Sequence, residues 1–245
     1  MASTVQIANL ALDAIGARAT IANFQETSAE ARLLARQYDQ ALEDVLAAAH
    51  WNFARKQAAL TLLKDGSLSP PDDVPAPWVY EYAYPSDCVA ARYVMPSLQS
   101  DPNVVGTGAA PFAAASPVRF IISTDEDSNG NAIKVILTNQ PAAVLVYTSR
   151  VTNSQLYDGP FVRALANYLG ALIAIPLSGD KALARSAFQV ADATTKSARA
   201  SNGNEGGPTV IDVVPDWIAA RGYQSDMGQG SNAYVMSPSN LVFVT

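Results

Sequence analysis

Asp125, Asp127, Asn129 and Gly130 stand at the first, third, fifth and sixth positions of the spacing with which an EF-hand loop gathers oxygen ligands. Such a loop also needs a bidentate glutamate at its twelfth position, and here that place is taken by Ile136. Helix signals do not flank the segment, so it reads as a solvated hairpin turn, with no metal expected. His50 is the single histidine of the chain, so Ser-His-Asp or Cys-His catalysis would have to use it. It lies between Ala49 and Trp51 where a helix ends, a place suited to interaction with C-terminal carbonyls rather than to catalysis. The single Cys88, between Ser86-Asp87 and Val89-Ala90, reads as a small packing residue rather than a nucleophile.

Paired carboxylates occur at Asp72-Asp73, in a proline-rich loop, and at Glu43-Asp44, near a helix end. Both read as solvated surface rather than as the two facing acids of a glycosidase. The chain has no GxxxxGK[ST] loop and no GxGxxG after a strand, so it lacks a nucleotide's phosphate cradle and no cofactor is expected. Trp78, Tyr80, Tyr82 and Tyr84 alternate along the chain. A stacking platform for single-stranded nucleic acid would interleave basic residues with them, and there are none, so these aromatics are candidates for a β-module core or a subunit interface.

The elements that must hold these residues follow from periodicity. Ile7, Leu10, Ala11 and Ala14 share a face of a short helix over about Thr4 to Ala14 that stops at Gly16. Leu33, Leu34, Tyr38, Ala41, Leu42, Val45 and Leu46 repeat at 3.6 residues, predicting a second helix from about Ser28 to Ala49, with Thr27 and Glu30 as its capping box. Its end carries Trp51 and Phe53, the candidate junction between helices and strands. Alternation then predicts strands around Leu60, Leu62 and the Trp78 to Tyr84 block, from Arg92 to Met95, and from Ala143 to Thr148. A hairpin is expected of Val118 to Ile122 and Ile133 to Leu137 around Asn129-Gly130, and a long loop from Gln99 to Ser116. Helical spacing returns after Asp158-Gly159-Pro160 with Phe161, Leu165, Tyr168, Leu169, Leu172 and Ile173. Pro176 and Gly179 separate it from a last helix, about Asp180 to Ala200, buried through Leu183, Ala187, Val190, Ala191 and Thr194.

The resulting expectation is an α+β fold: a bundle of about four helices from residues 1–55 and 158–201, a small antiparallel β insertion at 56–157, and an extended C-terminal arm at 202–245. The arm opens on SNGNEGGP as a flexible break. Beyond it Trp217, Tyr223, Tyr234, Leu241 and Phe243 are scattered among small and polar residues, as apolar side chains awaiting a partner surface would be. With 49% hydrophobic and 16% charged residues, the 245-residue chain can bury a substantial core. Its net charge of -6 argues against a grip on phosphates. A lone cysteine forms no internal disulfide and suits a reducing compartment. The N-terminus shows no signal-peptide pattern, and the most apolar window, Ala164 to Leu177, is about 14 residues, short of a bilayer's span.

Three segments, ANLALDAIGAR at Ala8 to Arg18, LAAAHWNFA at Leu46 to Ala54 and WVYEYAYPSDCVAAR at Trp78 to Arg92, occur in an order that resembles the head-to-tail adaptor family of short-tailed bacteriophages, also called tail tubular protein A. The resemblance spans most of the chain and implies a structural virion protein without enzymatic activity, assembled in the host cytoplasm. It implies a ring of twelve copies that joins the portal protein to the tail nozzle protein and continues the channel for double-stranded DNA. The same resemblance makes the C-terminal arm a portal-docking segment. Two alternatives stand beside it. One is a tail-associated cell-wall hydrolase using Glu43, Asp72, Asp73 or Glu81; the other is a connector or completion protein of another phage lineage.

Overall fold

A computed structural model describes residues 2–95, 118–127 and 129–205. The described part is α+β, with four helices and two small antiparallel sheets. Helix α1 spans Thr4–Ala14 and α2 Ala29–Ala48; a 3-10 turn, Asn52–Ala54, leads into strands β1 Arg55–Ala59 and β2 Leu62–Asp65. Strands β3 Tyr80–Ala83, β4 Cys88–Met95, β5 Phe120–Glu126, β6 Ala132–Thr138 and β7 Val144–Ser149 follow, then α3 Gly159–Ser178 and α4 Lys181–Asn204. Met1–Glu205 form one compact unit. The expected long loop at Gln99 to Ser116 and the arm residues Trp217, Tyr223, Tyr234, Leu241 and Phe243 lie outside the described residues.

Helix starts are set by side chains that satisfy orphan N–H groups. Ser3 caps α1 in a reciprocal box: its Oγ accepts from Gln6 N at 3.2 Å, and Gln6 Oε1 accepts from Ser3 N at 2.9 Å. For α2 the cap is Ser28, whose Oγ accepts from Ala31 N, so the expected Thr27 and Glu30 box is displaced by one residue. Ser28 wins because it already has the extended backbone, ψ 152°, that aims its hydroxyl at the third helical N–H.

The expected break at Pro176 does not occur. The proline removes one backbone bond near the end of α3, but the helix continues to Ser178 and closes at Gly179, whose φ of 68° is the left-handed cap glycine tolerates. At 20 residues α3 is long and apolar enough by composition to cross a bilayer, correcting the shorter estimate. Here 56% of its apolar window is buried inside the protein, against α1, α2 and α4.

The helical core is built from Ile7, Ala11 and Leu12 of α1, Leu34, Leu42 and Leu46 of α2, and Phe161, Leu165, Leu169 and Ile173 of α3. In α4 the buried stripe is Ala184, Ala191 and Ala198, while Val190, expected inside, is exposed. The stripe is rotated from the expected face because small side chains let α4 approach α3 closely, and shape outweighs hydrophobicity there. Close approach also explains Gly170 in α3. A Cβ on it would stand 2.7 Å from the Ala11 carbonyl oxygen.

The sheets run β1-β7-β4 and β2-β3-β6-β5. Strand β4 starts at Cys88, four residues before the expected Arg92, and bulges twice as it pairs with β7. Their core holds Tyr82, Val94, Ile136, Leu145 and Tyr147, with Tyr80, Tyr84 and Cys88 packed against it. Tyr82 is thus a core residue, its hydroxyl donating to the Gln140 carbonyl at 2.9 Å. Trp78 is half-buried beside β3. The one-sided burial expected of this block does not hold, because Glu81, Val135 and Leu137 on the opposite face are buried as well.

Replacing Gly170 by alanine forces α1 and α3 apart. The expected cost is about 1–3 kcal/mol, read as a lower midpoint in thermal or urea unfolding.

Candidate functional site

Several of the polar groups singled out by spacing have a local role. Asp127 Oδ1 accepts from the backbone N–H groups of Asn129 and Asn131 at 2.8 and 2.9 Å, and its Oδ2 accepts from Asn131 Nδ2 at 3.1 Å. With Gly130 at φ 79° this is a tight turn joining β5 to β6. Asp125 points elsewhere, to Lys64. Among the described residues no group of three or more His, Cys, Asp and Glu side chains is placed to hold a metal ion.

His50 does not cover the end of α2 as expected. Its Nε2 is buried with no hydrogen-bond partner among the described residues, and its ring meets Tyr93 edge to face at 6.5 Å. Burial, with Arg92 and Arg55 nearby, holds its pKa below the ordinary histidine value. Arg92 takes the carbonyls instead, donating from Nη2 to the oxygens of Ala47 and Ala49 and from Nε to Thr148 Oγ1 at 2.9 Å. A guanidinium reaches several acceptors at fixed angles without losing its charge, which an imidazole starved of water cannot do.

Trp51 is only 1% exposed; its Nε1 donates to the Val45 carbonyl at 2.8 Å. Its ring meets Phe161 edge to face at 5.0 Å, and Phe53 meets Phe161 at 4.8 Å and Tyr157 at 5.5 Å. This pair belongs mainly to the helical core, with Val89 of β4 packed against the same cluster. Beside it Asn202 accepts from Asn52 N at 2.9 Å and donates from Nδ2 to the His50 carbonyl at 3.1 Å. Asn52 Nδ2 returns a bond to the Asn202 carbonyl at 2.8 Å. The segment expected to open a flexible break therefore ends α4 instead, and the helix reaches Asn204. Helix propensity alone disfavours that ending; the side-chain bonds to Asn52 and His50 compensate.

The carboxylates singled out by spacing have separate partners. Glu43 pairs with Arg150 at 3.1 Å, Asp44 accepts from the Tyr168 hydroxyl at 3.0 Å, and Asp72 accepts from Asp65 N at 2.8 Å. Glu81 is the unusual one. It is 1% exposed, Lys64 Nζ lies 3.8 Å from its Oε2, and the same Lys64 is bound by Asp125. Burial pushes the Glu81 carboxyl up to about 7, while the Lys64 hydrogen bond holds Asp125 at about 2. Split values of this kind mark acid–base pairs in enzymes. Here Lys64 sits on both groups, and the residues lining the described cavities do not include them. Cys88 is half-buried, and burial raises its thiol, which suits packing rather than attack.

Sequence reasoning missed Arg92, Asn202 and the Lys64–Glu81–Asp125 cluster. All three depend on partners more than 40 positions away, or across two strands, and leave no local spacing. Comparison with protein-family models and with curated proteins gives no match.

The Glu81 shift makes a pH prediction. Its folded pKa lies above the unfolded value of 4.5, so the stability it contributes is complete below about 4.5 and is lost as pH rises through about 7. Glu81→Gln should flatten the pH dependence of the unfolding midpoint across that window. Across that window the unfolding free energies of the two proteins should diverge by on the order of 2 kcal/mol. Parallel wild-type and variant curves would show that Glu81 stays ionised when folded.

Proposed function

We propose that the chain is a structural virion protein, the head-to-tail adaptor ring of a short-tailed bacteriophage, seated between the portal protein and the tail nozzle protein. The observation that carries this reading is that the segments underlying the family resemblance are joined into one framework. Arg92, closing the Trp78 to Arg92 segment, bonds the Ala47 and Ala49 carbonyls within the Leu46 to Ala54 segment. In the third segment, Ala8, Ala11 and Leu12 share the helical core with Trp51. A mechanical connector needs such rigidity and two unlike faces for cyclic head-to-tail contacts.

The arm beyond Glu205, with Trp217, Tyr223, Tyr234, Leu241 and Phe243, serves in this reading as the portal-docking segment. The channel conducts double-stranded DNA without binding it, because a net charge of -6 on each copy repels phosphates over about a Debye length, near 8 Å at physiological salt.

Two measurements test this. Native mass spectrometry and electron microscopy of the purified protein with portal-bearing heads should show a closed ring, expected to have twelve copies, and removal of residues 206–245 should abolish attachment while leaving the unfolding midpoint intact. Undiminished attachment of the truncated chain would refute the docking role. Separately, duplex DNA should bind negligibly at about 0.15 M salt, and a micromolar complex with a steep salt slope would overturn the channel reading.

A further inference from the structure

We infer that Glu81, Lys64 and Asp125 form a proton-operated clasp between the two edges of the second sheet: with a proton on Glu81 the clasp is shut, and loss of that proton frees the Asp125 end of β5. Its working does not depend on what the chain connects.

The clasp is built by backbone irregularity. Strand β2 pairs Leu62 with Tyr82 and then Lys64 with Glu81, so Leu63 is the extra residue of a bulge. In an unbroken register Leu63 would stand opposite Glu81; the bulge puts a cation there instead. Strands β2 and β5 are the two edges of the sheet, three strand spacings or about 14 Å apart if it were flat. Asp125 is also offset along the strands, since it pairs with Ile133 whereas Glu81 pairs with Leu137. Lys64 nevertheless bonds Asp125, so the twist of the sheet brings these two corners together over the face that holds Glu81.

Only one cation serves the two acids. Lys64 Nζ is committed to Asp125 and lies 3.8 Å from Glu81 Oε2, which is buried with no hydrogen-bond partner among the described residues. Glu81 and Asp125 also face each other through a side-chain hydrogen bond, and a bond between two carboxyl groups requires a proton on one of them. With Glu81 neutral, Asp125 accepts from both Lys64 and Glu81. When Glu81 ionises, its proton passes to water and two carboxylates compete for one ammonium. The side chains of Lys64 and Asp125 are 32% and 30% exposed, whereas Glu81 is covered, so Asp125 is the partner that can leave for solvent.

Other elements add little charge to this face. From β6 it receives Val135 and Leu137, neither of which titrates. Lys134 lies over the Tyr84 ring, and Asp65 accepts from Ser67. Asp73 acts on Lys64 alone, strengthening its positive charge. Glu81 therefore sets the state of the clasp, and burial places its carboxyl at about 7.

Hydrogen exchange of the full-length protein tests the clasp, with the infrared carbonyl band of a protonated carboxyl reporting the charge on Glu81. The shut state holds the proton more tightly than the open one, so it is fully favoured at acid pH and loses ground as pH rises. After correction for intrinsic exchange, opening of residues 121–126 should grow by about tenfold per pH unit between about 5 and 7 and level off above. Glu81→Gln keeps a donor for Asp125 but has no proton to lose, so its exchange should stay at the acid level throughout. Asp125→Asn should move the Glu81 titration to lower pH and Lys64→Met should move it higher. A Glu81→Gln variant that keeps the wild-type pH dependence, or a Glu81 titration that Asp125→Asn leaves in place, would overturn the clasp and reduce Glu81 to a buried acid. Should the variants fail to fold, wild type decides: a rise confined to 121–126 and the facing residues 62–65 supports the clasp, and one spread equally over α3 and β7 refutes it.

Discussion

A helix leaves its last carbonyls without backbone partners, and the way α2 finds partners for its own fixes how the helical core meets the sheets. Arg92 reaches from β4 to the oxygens of Ala47 and Ala49 and is itself steadied by Thr148 on β7. One charged group thus binds a helix end and two strands. Removing it would leave the Ala47 carbonyl to solvent and the Ala49 carbonyl to the long bond from the Thr148 hydroxyl alone. The chain leaving α2 then has a single direction, which drives Trp51 into the helical core and carries Arg55 onto the edge of the first sheet.

Other long-range bonds lie around that junction. Trp51, Phe53, Tyr157 and Phe161 form one aromatic cluster, in which ring edges meet ring faces. Asn52 and Asn202 exchange bonds across 150 positions of sequence, so the last turn of α4 is anchored where the first sheet begins. The Ser149 hydroxyl donates to the Ala54 carbonyl at 3.0 Å, tying β7 to the same turn. Helices and sheets therefore share one framework although their apolar cores are separate.

Several polar groups that spacing brought forward are held by other parts of the structure. Asp127 closes a turn, Glu43 holds Arg150 and Asp44 holds Tyr168. The exception is Lys64 between Asp125 and a Glu81 that burial drives toward its neutral form. The cluster joins β2, β3 and β5 of the second sheet.

What the sequence determined by itself was local. Periods of 3.6 and 2 located the helices and most strands, Asn129-Gly130 located the hairpin, and Gly179 located the end of α3. These signals are legible because the forces behind them, burial of one face and positive φ at a turn, act between near neighbours. Tertiary structure alone decided the rest. The buried stripe of α4 is its alanines because α3 lies close enough to exclude Val190, and Glu81 is buried because its strand is covered on both faces. Arg92 displaced His50 at the end of α2, and Asn202 kept α4 helical through a stretch of poor helix formers. In each case the deciding partner is far away in sequence, where no spacing rule reaches.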